Sequence, residues 1–224
     1  MVWVVKGEIV ANYALVADGE RLCVATDLKG FFGGTGEFTV VGAAPGFDPG
    51  QRLGGLEVHV LDERGESIGV YFVSDATTGA DGLVSGRLLS RPHELAGRVW
   101  ARWRPGPPSV PGLWVDGRTS EREAWLEVAR NYTGRRVTNA VPVAVAGEHV
   151  TDRPGTYLAI AEAVVGPGGY LGANLDGLHD CLRTVDTPFD LVWRHSGVAT
   201  AQVGALVDDV VAVLTEAGVR VILK

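Results

Sequence analysis

The residues with the clearest chemical potential are two aspartates four positions apart, Asp176 and Asp180. Residues at i and i+4 share one face of a helix, so both carboxylates would point the same way. Their repulsion costs an isolated helix about 0.2–0.5 kcal/mol, and the helix N-terminal dipole offsets part of this for the first acid. Two interpretations are open at this point: a solvated face that carries two acids, or an anionic knob, flanked by Tyr170, that enters a positive pocket on a partner.

His179 lies next to Asp180 and could be imagined as a general base of a hydrolase. Adjacent helical residues point about 100° apart and do not face one another. No Gly-x-Ser-x-Gly turn or other nucleophile accompanies the pair. The sequence therefore favours a surface or interface histidine, and a protein that is not an enzyme.

A helix entered after Gly172 would position these residues. Asn174 is a suitable N-cap, because its side chain can accept hydrogen bonds from the amides of the first turn. The opposite face carries a leucine stripe at i, i+3 and i+7, which we expect to be buried: Leu175, Leu178 and Leu182.

The surrounding C-terminal region has the pattern of an α/β unit. A short strand, two helices, a strand, a helix and a final strand follow one another, which predicts a three-stranded parallel sheet covered by helices. The predicted elements are strand 141–146, helix 156–165, the acidic helix, central strand 189–194, one long helix 201–217 and strand 219–223.

Three stretches together carry a family resemblance. Residues 170–182, with the string Tyr-Leu-Gly-Ala-Asn-Leu-Asp-Gly-Leu-His-Asp-Cys-Leu, resemble the signature helix of the barstar family, the intracellular inhibitors of barnase-type microbial ribonucleases. The resemblance extends to residues 187–196 and 218–223, and covers about residues 140–224. The family has the same α/β architecture.

The resemblance implies an inhibitor whose acidic helix and preceding loop plug a ribonuclease active site. By the motif, Asp180 would occupy the place of the substrate phosphate, with Asp176 as the second acid. Tyr170 would stack over the catalytic site. Gly172 and Asn174 would shape the loop that presents these side chains.

The chain departs from the family pattern at three positions. His179 stands where the prototype has tryptophan, so a contact at the rim of the interface changes. Leu171 replaces a second tyrosine. Val213 stands where the prototype has an acid on the late helix, and Asp208 and Asp209 lie earlier on that helix. These changes bear on affinity and on the choice of nuclease.

Residues 1–139 read as a β-rich domain of unknown function, a small sandwich or partly closed barrel plus one helix. Asp18-Gly19 predicts a tight hairpin turn. The glycine-rich stretch 31–38 lacks a phosphate-loop pattern and predicts a turn. The remaining predicted strands are one at 3–5, a hairpin at 56–73 and one at 99–104. The tryptophans of the last strand either lie in the core or stack on bases. A helix capped by Ser120 and Glu123 is predicted to end near Gly134.

Charge separates the two regions. Residues 1–139 hold 15 Lys and Arg against 17 Asp and Glu, whereas residues 140–224 hold 5 against 10, out of a net −7. The acidic C-terminal region disfavours direct nucleic-acid binding, which needs cationic surface. It suits a basic partner through faster, electrostatically steered encounter.

Other sequence features set the expected surroundings. We find no apolar run long enough for a membrane span and no secretory signal, so we expect a cytoplasmic protein. Cys23 and Cys181 are too far apart for a zinc spacing or disulfide framework, and Cys181 is expected to be a buried thiol. No metal or cofactor is predicted.

Three functions are therefore open. The first is an inhibitor, of the antitoxin or immunity type, of a basic secreted or toxin ribonuclease. The second is a scaffold that uses the barstar-like domain to dock another basic partner. The third is an enzyme in the first domain, which would require a deep pocket with convergent polar groups.

Overall fold

The computed structural model of the chain describes residues 11–42, 48–134, 143–185 and 189–224. The strand predicted at 3–5 lies outside these residues, as do residues 141–142 of the predicted strand 141–146 and residues 187–188 of the stretch 187–196 that carries the family resemblance. The described chain divides into two compact units. One holds the residues up to Gly106 together with Asn131–Gly134, and the other holds Pro107–Arg130 together with the residues from Val143 to Lys224. Residues 107–130, which the sequence groups with the N-terminal region, thus lie with the second unit.

The first unit is built on one antiparallel sheet of seven strands, curved into a half-barrel and not split into a sandwich. The spatial order is β2-β1-β5-β6-β7-β4-β3. The strands are β1 (Tyr13–Ala17), β2 (Glu20–Ala25), β3 (Asp27–Lys29), β4 (Glu37–Val41), β5 (Arg52–Leu61), β6 (Ser67–Thr78) and β7 (Leu83–Leu88).

The two predicted hairpins are confirmed. β1 pairs with β2 across Asp18 and Gly19, which both have positive φ, at 52° and 78°. Two central residues with positive φ are what a tight hairpin turn of this kind requires. β5 pairs with β6 over a longer register than predicted.

The core of this unit is aromatic. Phe31 and Phe38 are buried on either side of the glycine-rich turn, and the ring of Phe31 meets Tyr71 edge to face at 5.4 Å. The stretch 31–38 therefore connects β3 to β4 and contributes to the core, as a turn between strands was predicted to do. Burial raises the pKa of Tyr13, in the same cluster, to about 12.

The strand predicted at 99–104 is wrong: these residues belong to helix α1 (Ala96–Trp103). Trp100 and Trp103 are both buried, and Trp100 Nε1 donates to the Tyr71 hydroxyl at 2.9 Å. The buried positions Ala96, Val99, Trp100 and Trp103 follow helical spacing. The alternation of apolar and basic residues over 101–104 had suggested a strand instead. Buried indoles cannot stack bases, so the nucleic-acid interpretation of this stretch is also wrong.

The second unit contains a three-stranded parallel sheet in the order β10-β9-β8. β9 is central and the strands are parallel, as predicted. The strands are β8 (Val143–Ala146), β9 (Asp190–Arg194) and β10 (Arg220–Leu223). The helices are α2 (Thr119–Asn131), α3 (Arg153–Val165), α4 (Leu175–Leu182), α5 (Ser196–Val203) and α6 (Leu206–Glu216).

The single long helix predicted at 201–217 is wrong, because α5 ends at Val203 and α6 begins at Leu206. Gly204 adopts φ +59°, a left-handed conformation that an α-helix cannot contain. The apolar spacing persists across the break, and Val207, Val210 and Leu214 of α6 are buried.

Two helix starts also differ from prediction. α2 begins at Thr119, where the Glu121 carboxylate accepts a hydrogen bond from the Arg118 amide, in place of the predicted capping box from Ser120. α3 begins three residues earlier than predicted, because Asp152 caps it and Pro154 is tolerated in a first turn.

Candidate functional site

Helix α4 begins where the sequence predicts. Asn174 has an extended backbone, with φ −153°, and its side-chain oxygen accepts from the Gly177 amide at 2.7 Å. This N-cap satisfies one of the amides that the first turn leaves unpaired. Asn174 is therefore confirmed as a residue that fixes the start of the acidic helix.

The leucine face of α4 anchors the helix to the second unit. Leu178 and Leu182 are buried, while Leu175 in the first turn is only half-buried. α4 packs against α6 on this side. The predicted stripe is thus confirmed at its two later positions, and it leaves the opposite face of α4 toward solvent.

The solvent face carries the two predicted acids. Asp176 and Asp180 are both exposed, and the Asp180 side chain keeps 76% of its accessible surface. Within the described ranges, neither carboxylate forms an ion pair with a lysine or arginine. Two carboxylates one turn apart are therefore held on a rigid helix, and no lysine or arginine of the described residues is paired with them.

His179 lies beside the second acid. Its Nδ1 is 3.8 Å from Asp180 Oδ1, too long for a hydrogen bond but within range of an electrostatic contact once the ring is protonated. The two side chains therefore form no hydrogen bond with each other, consistent with neighbours that do not face one another on a helix. The ring is 37% exposed, so it can also reach a partner.

The loop before α4 is locked against the helix backbone. Gly172 has φ +98°, and a Cβ atom there would overlap the backbone of Gly177 and Leu178. Only glycine fits this approach. Tyr170 is half-buried at the start of the loop, whereas Leu171 is buried, so Leu171 serves the core rather than the surface.

Cys181 was expected to be buried, but it is only partly covered. It lies on the flank of α4, between the buried leucines and the exposed acids, which accounts for its intermediate exposure. Cys23 in the first unit is buried.

Helix α6 contributes two further acids to the second unit. Asp208 and Asp209 lie exposed in its first turn, where the helix dipole favours negative charge, whereas Val213 is half-buried further along. Burial raises the pKa of the Tyr157 hydroxyl on α3. Arg153 opposes this shift, and Asp209 and Asp176 add to it. The Tyr157 hydroxyl thus lies within electrostatic range of one acid on α4 and one on α6.

The structure contains a hydrogen-bonded series in the first unit that no sequence motif indicates. His59 Nδ1 lies 2.7 Å from the Ser67 hydroxyl, and its Nε2 lies 2.8 Å from Glu57 Oε2. The pairing of β5 with β6 brings these three side chains together across 11 residues. Acyl transfer would also need donors aimed at an oxyanion, and we assign this series no catalytic role.

Among the residues that the structure describes, no three His, Cys, Asp or Glu side chains are grouped so that they could hold a metal ion. None of the described helices is long and apolar enough to cross a membrane.

Comparison with known families gives one match. Residues 140–221 match the family model described as Barstar (barnase inhibitor), and the N-terminal region has no family match. The matched segment contains all six predicted site residues: Tyr170, Gly172, Asn174, Asp176, His179 and Asp180. A search of curated proteins found no match. The C-terminal part of this chain is thus similar to a family of inhibitors, not of enzymes.

Proposed function

We propose that the second unit inhibits a barnase-like ribonuclease by inserting the exposed face of α4 into the nuclease active site. One observation carries the proposal: Asp176 and Asp180 are exposed on a capped, packed helix, with no arginine or lysine of the described chain paired to them. If arginines or lysines of this chain were paired with the two acids, the carboxylates would not be available to the cations of a nuclease active site.

The physical basis is a charge-assisted contact made by a preorganised group. Carboxylates that meet guanidinium groups form short, strong hydrogen bonds, and removing water around them strengthens the attraction. Because the Asn174 cap and the leucine face already fix α4, little conformational entropy is lost on binding. The acidic balance of residues 140–224 would also speed encounter with a basic protein.

The resemblance supplies a role for each residue. Asp180 would take the position of the RNA phosphate, and Asp176 would meet a second cation of the nuclease. Tyr170 would stack over the catalytic site, while Gly172 and Asn174 hold the loop and helix in the shape that presents them. His179 would contact the rim, where it replaces the tryptophan of the family pattern.

The proposal includes a biological setting. The partner would be a basic ribonuclease that is secreted or delivered as a toxin, and this chain would act in the cytoplasm as its antitoxin or immunity protein. No metal, cofactor or nucleic acid would be required, because the inhibitory chemistry lies in side chains of α4 and its loop.

The test is a titration of RNA cleavage. Purified full-length chain is added to a fixed concentration of a barnase-like ribonuclease while hydrolysis of a fluorogenic RNA is followed. We expect cleavage to fall to background near one chain per nuclease, with a complex visible by size-exclusion chromatography. Full cleavage and no complex across a panel of such nucleases would refute the proposal.

A second candidate is a non-inhibitory docking protein. The observation that favours it is the apolar Val213, where the family pattern has an acid that engages the nuclease. In that case the chain would form a stable complex with a basic protein other than a nuclease, and Asp180→Ala would leave that complex intact.

A further inference from the structure

We propose that residues 107–130, which lie outside the segment that matches the family model, belong to the partner-binding unit, and that Arg122 is a positioning residue for its acidic face. This inference rests on the proposed function of α4. The contacts that support it all lie within the second unit.

The first anchor is Glu162 on α3. Its Oε2 accepts from the Gly112 amide at 2.8 Å and from Trp114 Nε1 at 3.1 Å. Trp114 is only 4% exposed. Burial raises the pKa of the Glu162 carboxyl, although the two hydrogen bonds oppose this shift. The segment before α2 is therefore fixed to the last turn of α3 by a largely desolvated contact.

The second anchor is Asp152, which caps α3. Its Oδ1 accepts from the Gly155 amide at 2.8 Å, and its Oδ2 accepts from the Thr119 hydroxyl at 2.8 Å. Arg122 Nη1 lies 3.1 Å from the same Oδ2. One carboxylate thus joins the start of α2 to the start of α3.

Arg122 closes this anchor. It is buried on α2, donates to the Thr151 hydroxyl and the Val115 carbonyl, and lies 5.6 Å from the centre of the Trp114 ring. Burying a guanidinium is costly unless a negative charge and hydrogen-bond acceptors compensate it, as Asp152, Thr151 and Val115 do here. The fit is tight, because a Cβ atom on Gly155 would lie 2.8 Å from Asp152 Oδ1 and 3.3 Å from Arg122 Nη1.

The anchored end of α3 leads to the acidic face. Trp114, whose ring lies under the Arg122 guanidinium, donates to Glu162 in the last turn of α3, and the Glu162 carbonyl accepts from the Gly166 amide that ends the helix. The loop that begins at Gly166 runs directly to α4 and is packed on the end of α3, because a Cβ atom on Gly169 would lie 2.7 Å from the Cβ atom of Val165. Arg122 would therefore influence the position of the Asp176 carboxylate, with which it makes no direct contact.

The experiment compares full-length variants in complex with a barnase-like ribonuclease by surface plasmon resonance. We expect Arg122→Met to accelerate dissociation roughly tenfold while the association rate and its salt dependence stay near wild type, since interface defects act mainly on dissociation. Arg118→Met, at an exposed position on the same segment, is the control for lost charge. We expect Arg122→Lys to restore part of the lost residence time.

Hydrogen exchange in the free chain separates this inference from the function on which it rests. Arg122→Met should speed exchange of the first amides of α3, and Trp114 fluorescence should shift to longer wavelength. If wild type binds no nuclease, the proposed function fails, and unchanged exchange would then also overturn the positioning role. If wild type binds and a folded Arg122→Met dissociates at the wild-type rate, the inference is wrong. Should Arg122→Met not fold, Gly155→Ala, which crowds the same anchor without removing a charge, replaces it and must show the same acceleration.

Discussion

The two units differ in whether their polar side chains have hydrogen-bonding partners within the chain. In the first, the clearest polar series, Glu57, His59 and Ser67, satisfies its hydrogen bonds within the sheet surface. In the second, Asp176 and Asp180 stay exposed on a helix whose other face is buried. Polar groups that already have partners can stabilise a fold, whereas rigid charges without one offer binding energy to another molecule. This contrast is the reason why we propose that the second unit binds the partner.

The sharpest way to break this contrast is to remove the second acid. Asp180→Ala should weaken nuclease binding at least about 100-fold, as loss of a charged anchor at the centre of an interface does. The side chain is exposed, so the free energy of unfolding should change by no more than about 0.5 kcal/mol. Calorimetric titration and urea unfolding measure the two quantities. Glu20→Ala, which removes an exposed acid of the first unit, should change neither.

A smaller effect should come from the loop before the acidic helix. Gly172→Ala forces a side chain into a left-handed position that is also sterically blocked, at a cost of about 1–3 kcal/mol. Both the unfolding free energy and nuclease affinity should fall, because the loop presents Tyr170. Gly204→Ala is the matched control: its φ is also positive, but nothing lies within 4 Å of its Cβ position. It should lose stability without losing affinity, and equal loss of affinity in both variants would contradict the role of the loop.

A substitution in the first unit should lower stability and leave nuclease inhibition unchanged. His59→Ala breaks two side-chain hydrogen bonds, for which we expect about 1 kcal/mol of lost stability and no change in nuclease inhibition. Thermal unfolding and the RNA cleavage titration measure these effects. A large loss of inhibition would show that function is not confined to the second unit.

The smallest effect concerns a surface pair of the second unit. His195 Nδ1 lies 2.7 Å from Glu148 Oε2, and this hydrogen bond lowers the pKa of the carboxyl below its ordinary value of 4.5. The pair therefore stabilises the fold above that pH, and its contribution is lost as the pH falls through the folded-state pKa. Both groups are exposed, so Glu148→Gln should cost at most about 1 kcal/mol near pH 5.5. Urea unfolding should show the variant converging on wild type in acid, and a gap that widens in acid would contradict the assignment.

Local patterns account for what the sequence predicted well. Asn174, the leucine stripe and the two acids all lie within nine residues, so spacing alone determined the cap and the faces of α4. The same holds for the Asp18-Gly19 hairpin. Parallel pairing and the central place of β9 followed from element order together with the family resemblance.

The errors came from ambiguous or distant interactions. The alternation of apolar and basic residues around Trp100 and Trp103 predicts a strand, whereas the i and i+3 spacing of the two tryptophans predicts a helix. Only the burial of both rings on one side decides between the two. Apolar spacing continues through Gly204, so it did not signal the break in the late helix. The contacts of Arg122 with Asp152 and of Trp114 with Glu162 join residues 30 and 48 positions apart, a pairing for which a single sequence has no local mark.

Competition for the nuclease active site tests the central claim most directly. A barnase-like ribonuclease is titrated with the full-length chain by calorimetry, first free and then saturated with a nucleotide 3′-phosphate that occupies its phosphate subsite. If the carboxylate of Asp180 takes the place of an RNA phosphate, the apparent affinity should fall in proportion to the nucleotide bound. An affinity that is the same with the subsite filled or empty would contradict the account.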